Sequence, residues 1–134
     1  MKRVLFLLVL LLSFTSCKKY VTTNKVNRVL QRDSWRISGF VHQNNNLTDS
    51  FNGVTFVFGE SSKLSSSEGL DGKWTVNDTK PTKLYLSGYY QGDGIFFYLV
   101  DDWLVEECSK NEVVFTAESG SFTNQITFRR ILPD

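Results

Sequence analysis

The stretch Val113-Val114-Phe115-Thr116-Ala117, the tripeptide Ser119-Gly120-Ser121, and then Phe122-Thr123-Asn124-Gln125-Ile126-Thr127-Phe128 together decide the fold. In the first segment Val113, Phe115 and Ala117 take every second position. In the second, Phe122, Asn124, Ile126 and Phe128 do the same. Successive side chains of a strand point to opposite faces, so a period of two predicts two half-buried strands. The small residues between them read as a turn.

Working outward, the same period recurs along most of the chain. Trp35, Ile37, Gly39 and Val41 alternate with Arg36, Ser38 and His42, and Phe40 interrupts the pattern. Val54, Phe56 and Phe58 form a second run, Trp74 and Val76 a third, and Leu84 and Leu86 flank Tyr85 in a fourth. Phe97 and Leu99 open a fifth, and Trp103 and Val105 a sixth. Turn-forming residues separate the runs, among them Asn44-Asn45-Asn46, Gly53, Gly59, Gly69-Leu70-Asp71-Gly72, Asn77-Asp78, Gly92-Asp93-Gly94 and Lys110-Asn111. About eight short strands at roughly 8- to 15-residue spacing, with no helix long enough for a crossover, predict an antiparallel all-β domain. Such a meander has one apolar face, which it buries by closing into a small barrel or by pairing into a β-sandwich. Ahead of the strands, Val26, Val29 and Leu30 have the i, i+3, i+4 spacing of one helix face. A short helix is therefore expected over Lys25 to Gln31, with Asn24 as its N-cap.

A resemblance favours the barrel. Leu30 through Trp35, Val54 to Phe58, Asp71-Gly72-Lys73-Trp74, Leu84-Tyr85-Leu86, Asp102-Trp103 and Ile126-Thr127-Phe128-Arg129-Arg130-Ile131 together resemble the small lipocalin-like lipoproteins of Bacteroidota. Asp33 stands where that family usually carries glycine before the first tryptophan. The resemblance implies an up-and-down barrel of about eight strands over residues 25–134. It also implies that Trp35 packs across the base of the barrel beneath a basic side chain of the last strand, Arg129 or Arg130. Neighbours on a strand face opposite ways, so the other arginine is expected to be a solvated outer charge.

The N-terminus carries a separate message. Met1-Lys2-Arg3 is positive, Val4 to Leu12 is an unbroken apolar run, and small residues then lead to Cys17. That is the order of an export signal, and the run is too short for the roughly 20 residues that cross a bilayer. Phe14-Thr15-Ser16-Cys17 resembles a bacterial lipobox, with Phe14 where leucine is usual. The resemblance implies a signal peptide over residues 1–16, acylation of Cys17, and a lipidated tether over residues 17–24. More than one acyl chain holds a protein stably at a membrane. Lys18-Lys19 is not the acidic stretch that the family associates with surface export, so the expected place is the outer membrane, facing the periplasm.

Without Lys2 and Arg3 the remaining chain has 13 basic against 14 acidic residues. No overall charge points to nucleic acid or to strong attraction by anionic lipid. With Cys17 acylated, Cys108 has no intramolecular partner, and one histidine with one free thiol nearly excludes imidazole or thiolate metal sites. The neighbouring Glu106-Glu107 would raise a thiol pKa, so Cys108 reads as a structural thiol.

Catalytic signatures are absent from the sequence: it has no nucleophile elbow, phosphate loop or His-Glu-x-x-His helix. His42 sits at a predicted strand end as an exposed polar residue. The doublets Asp101-Asp102 and Glu106-Glu107 point their members to opposite faces of a strand, which suits neither a glycosidase pair nor a calcium site. No cofactor, no metal and no enzymatic activity is expected.

What remains is the barrel. The inward candidates Phe56, Phe58, Trp74, Phe97, Trp103 and Phe115, with Leu84 and Phe128, either line a cavity for a small hydrophobic molecule or fill the interior outright. Tyr89 and Tyr90, in the glycine-rich segment Gly88 to Gly94, are candidates for a barrel mouth or a partner contact. The leading expectation is a lipid-anchored binder of a small hydrophobic ligand. The alternative is an accessory subunit of an outer-membrane assembly with a filled barrel, and the interior volume distinguishes the two.

Overall fold

The structure, a computed structural model, describes residues 21–77, 80–89 and 94–133. The first element among the described residues is helix α1 (Thr23–Leu30). The strands follow in order: β1 (Ser34–His42), β2 (Asn45–Asn46), β3 (Phe56–Phe58), β4 (Lys63–Ser66) and β5 (Asp71–Asn77). After them come β6 (Lys83–Tyr89), β7 (Asp101–Cys108), β8 (Glu112–Ser119) and β9 (Phe122–Ile131). From β3 to β9 each strand pairs antiparallel with the next, and β1 pairs with both β3 and β9. These eight strands close a barrel, and β2 is an extra strand folded back on β1. The sandwich alternative is set aside by the β1–β9 ladder, which runs from Ser34↔Ile131 to Val41↔Gln125.

Alternate connections fall at opposite ends of such a barrel. The links after α1, β3, β5 and β7 lie at one end, the base, and those after β1, β4, β6 and β8 lie at the other, the mouth. Helix α1 crosses the base. Its N-cap is Thr22, whose hydroxyl accepts from the Lys25 amide at 3.3 Å, two residues ahead of the expected Asn24. Val26, Val29 and Leu30 turn the apolar stripe into the base of the barrel and are buried there. The Thr23 hydroxyl donates to the Asn77 carbonyl at the end of β5.

The interior follows the period of two, with shifts at two bulges. In β1 an irregularity between Ile37 and Gly39 inserts one residue against β9. An extra residue reverses the parity of everything after it. Phe40 is therefore fully buried, and Val41, expected on the inward face with Gly39, is exposed. In β7 a second shift between Val105 and Glu107 leaves both Glu106 and Glu107 outside and turns Cys108 inward.

The expected strand at Phe97 and Leu99 is instead a 3₁₀ segment over Gly94–Leu99 that leads into β7. Its period is near three, so Phe96 and Leu99 are buried while Phe97 stands out at 76% exposure. The eighth barrel strand is β4, Lys-Leu-Ser-Ser, with Leu64 as its buried residue. At the β5–β6 crossing, Gly72 faces Gly88, and a Cβ on Gly72 would stand 2.6 Å from the Ser87 carbonyl oxygen. Glycine is what lets these two backbones approach.

Candidate functional site

The barrel interior is the first candidate, and buried aromatic rings pack against one another within it. Phe128 on β9 meets Phe56 at 5.5 Å, Phe58 at 5.4 Å and Phe115 at 5.9 Å between centroids, all close to edge-to-face. Phe58 in turn meets Trp74 at 5.6 Å. Toward the mouth, Phe96 of the 3₁₀ segment packs on Phe51 and Phe56, and Phe40 packs on Phe51 and Trp103. These are favourable quadrupole geometries between rings contributed by different elements. Of the sequence-derived ligand candidates, Phe56, Phe58, Trp74, Trp103 and Phe115 are buried and belong to one continuous core. Phe97 does not join them, because the 3₁₀ segment turns it outward.

A binding pocket needs a few polar groups converging on free space. Here the polar groups near the core are already committed. The Trp35 indole N–H donates to the carbonyls of Leu30 and Arg32 at 3.0 and 3.1 Å, closing the C-terminal turn of α1. The Trp74 indole donates to the Gly59 carbonyl at 3.1 Å and the Trp103 indole to the Leu99 carbonyl at 2.9 Å. Buried Asn124 accepts the Gln43 amide at 2.8 Å, which fixes the β1–β2 turn against β9. Buried Thr82 donates to the Val21 carbonyl.

The described pockets lie elsewhere. One groove of about 490 Å³ runs along the outer wall of β1 and β9, lined by Ser38, Val41, Thr48, Thr123, Gln125 and Thr127. A second of about 490 Å³ lies beside α1, between Asn27, Gln31, Ser61, Ser62 and Thr75. Beneath the 3₁₀ segment, Leu70, Leu86, Phe96 and Leu99 enclose only about 10 Å³, room for about one water molecule.

At the base, the register sets Arg130 opposite Trp35 and Arg129 opposite Arg36. Arg129 is exposed. The Arg130 side chain is 14% exposed, and its Nε and Nη2 donate to the Asp33 carboxylate at 2.7 and 2.6 Å. Its Nη1 is buried without a hydrogen-bond partner. Asp33 is thus the carboxylate that neutralises Arg130. Nothing in composition or period signalled that pairing, because it joins residues 97 positions apart.

The remaining candidates separate. His42 is half-buried and packs against Tyr98, with ring centroids 4.8 Å apart and the planes tilted by 57°. Asp101 opens β7 and caps the Asp102 amide, while Asp102 reaches Lys83 at 3.7 Å across the surface. Glu106 accepts from the Thr116 hydroxyl at 2.8 Å. Among the described residues, no group of three or more acidic, histidine or cysteine side chains is placed to hold a metal. Burial pushes the Cys108 thiol up, with Lys25 and Arg28 partly offsetting that rise. Tyr89 ends β6 opposite Asp71. Cys17, the expected signal peptide and Tyr90 lie outside the described residues. Comparison with protein-family models, curated proteins and solved structures finds no match to this chain.

Proposed function

We propose that the chain is a lipocalin-like lipoprotein, anchored through acylated Cys17 on the periplasmic side of the outer membrane. We further propose that it serves there as a non-enzymatic interaction module, an accessory component of a membrane assembly. The observation that carries this reading is the ring cluster about Phe128, where rings of β3, β8 and β9 meet edge to face inside the barrel, which favours a filled interior over a ligand-carrying one. With the interior filled, the working surface is the outside. The mouth offers such a surface, because Phe97, Tyr98 and Val100 are all exposed on or beside the 3₁₀ segment. Clustered exposed aromatic and aliphatic side chains are the usual core of a protein contact. The anchor is supported by the charged, apolar, small-residue order that ends at Cys17.

The test has two readouts. In cells, Cys17→Ser should release the protein from the membrane pellet, and retention in the pellet would count against the anchor. A photo-crosslinking residue at Phe97 should capture a discrete partner, whereas one at Glu106 on the outer wall should not. A Phe97 probe that captures nothing, with native mass spectrometry showing stoichiometric bound lipid, would return the barrel to ligand carriage.

A further inference from the structure

The described residues carry basic and acidic side chains in equal number, yet the fold sorts them by end. The mouth holds Asp49, Glu68, Asp71, Asp101 and Glu118, and no described lysine or arginine lies in a mouth connection. The basic residues gather at the base. Lys25 and Arg28 project from α1, Arg32 follows it, Lys80 and Lys83 flank the start of β6, and Lys110 tips the β7–β8 hairpin. All but the half-buried Lys83 are exposed. Acids at this end are fewer. They are Glu60, Glu106, Glu107 and Glu112, together with Asp33, which is held by Arg130.

The base is also where the chain enters the barrel. The Val21 carbonyl is held by Thr82 at the start of β6, and α1 follows immediately. Val21 is four residues beyond Cys17, a reach of at most about 14 Å for extended chain. Because that is an upper bound, the tether lets the face come within one screening length of the bilayer, roughly 8–10 Å at physiological ionic strength. A cationic face held at this distance from a bilayer lies within range of the bilayer's surface charge.

We propose that the base of the barrel is a seat for an anionic phospholipid surface, holding the barrel upright with its aromatic mouth turned away from the membrane. The seat rests on the reading of Cys17 as the lipid anchor for its geometry. The sorting of charge between base and mouth holds whether or not Cys17 is acylated. A balanced overall charge conceals this surface, because attraction depends on the charges that reach the membrane and not on their total.

The experiment uses the acylated full-length mature chain in phosphatidylcholine vesicles with or without phosphatidylglycerol. A fluorophore is placed at Asn111→Cys on the base hairpin or at Ser121→Cys on the mouth hairpin, and the quencher is carried on lipid headgroups. The expected result is strong quenching at position 111 and weak quenching at position 121 on anionic vesicles. The difference should collapse in about 0.5 M salt, where screening shortens below the reach of the seat. A basic residue at an anionic surface is worth about five-fold in partitioning. The triple variant Lys25→Gln, Arg28→Gln, Lys110→Gln should therefore weaken binding of the unacylated Cys17→Ser chain to anionic vesicles about 100-fold.

Equal quenching at the two labels overturns the proposal. So does quenching indifferent to lipid charge, which would leave the base to an acidic protein instead. Flotation of the acylated chain with purely neutral vesicles reports the anchor separately. Loss of flotation with charge-dependent seating intact removes the anchor and leaves the seat.

Discussion

Replacing Phe128 with alanine would remove the ring on which the filled-barrel argument turns. Phe128 is 1% exposed and touches Phe56 and Phe58 of β3 and Phe115 of β8. A buried aromatic side chain hides about 150–250 Å². Most of that is lost on truncation, and at about 25 cal/mol per Å² the transfer part alone is about 3–4 kcal/mol. The surrounding rings are tied to separate strands and cannot collapse fully into the gap, so a cavity contribution adds to this. The total should fall at about 3–5 kcal/mol, the usual range for such truncations. Against a whole-domain stability of about 5–15 kcal/mol, the variant should still fold, with its melting temperature lowered by about 10–20 °C. Urea titrations should show a lower midpoint at an unchanged slope, the mark of lost stability without a changed unfolded state. The same variant should take up benzene, because a dry apolar cavity of ring size binds such molecules. The wild-type chain should not. A loss below about 1 kcal/mol, or equal benzene uptake by the two proteins, would refute the argument that the barrel is filled.

Two other perturbations follow from single contacts. Gly72→Ala places a Cβ 2.6 Å from the Ser87 carbonyl and 3.3 Å from the Gly88 Cα. Because both obstacles are backbone, β5 and β6 must part, at a cost of about 1–3 kcal/mol, whereas Gly94→Ala, with open space around it, should stay within about 0.5 kcal/mol. The comparison of urea midpoints checks both. For Cys108, burial raises the thiol pKa and Lys25 and Arg28 lower it in part, so the unfolded chain ionises first as pH rises. Stability from this group is fully present below the ordinary thiol range and is lost as pH climbs through that range toward the folded value. The urea midpoint should therefore fall between about pH 7 and about pH 10 more steeply in the wild type than in Cys108→Ala. Parallel falls would show that the thiol is not the source.

The inward residues of β5 to β9 were legible because each run, up to the bulge in β7, keeps its period of two and carries large apolar residues. Trp74, Leu84, Leu86, Trp103, Val113, Phe115, Ile126 and Phe128 all face inward as the alternation requires. The count of eight strands rests on two offsetting differences. The run at Phe97 and Leu99 contains too few positions to tell a period of two from a period of three, and it forms the 3₁₀ cover of the mouth. β4 has a single large apolar residue, Leu64, among lysine and serines, and it exists because β3 and β5 provide ladders on both sides. Bulges were illegible for a related reason. The misfit at Phe40 was visible in the sequence, but only the β9 register shows that an inserted residue, and not a broken strand, explains it. The sorting of charge between base and mouth is likewise a property of topology. Lys25, Lys80 and Lys110 are far apart in the chain and meet only because alternate connections share an end of the barrel.

The β1–β9 ladder has a consequence for how the chain reaches this state. β1 is the first strand made and β9 the last, so the seam closes across nearly the full length of the domain. Until residues 122–131 arrive, β1 has no partner on that side, and the Phe56–Phe58 face lacks the Phe128 ring that completes it. A chain in that condition presents an unpaired strand edge together with bare aromatic surface, the combination most prone to intermolecular pairing. Seam closure joins such distant residues that it is expected to be the slow step. The ten residues of β9 thus govern the interval during which a partly made barrel is vulnerable, and release from that interval comes all at once, when the final strand docks.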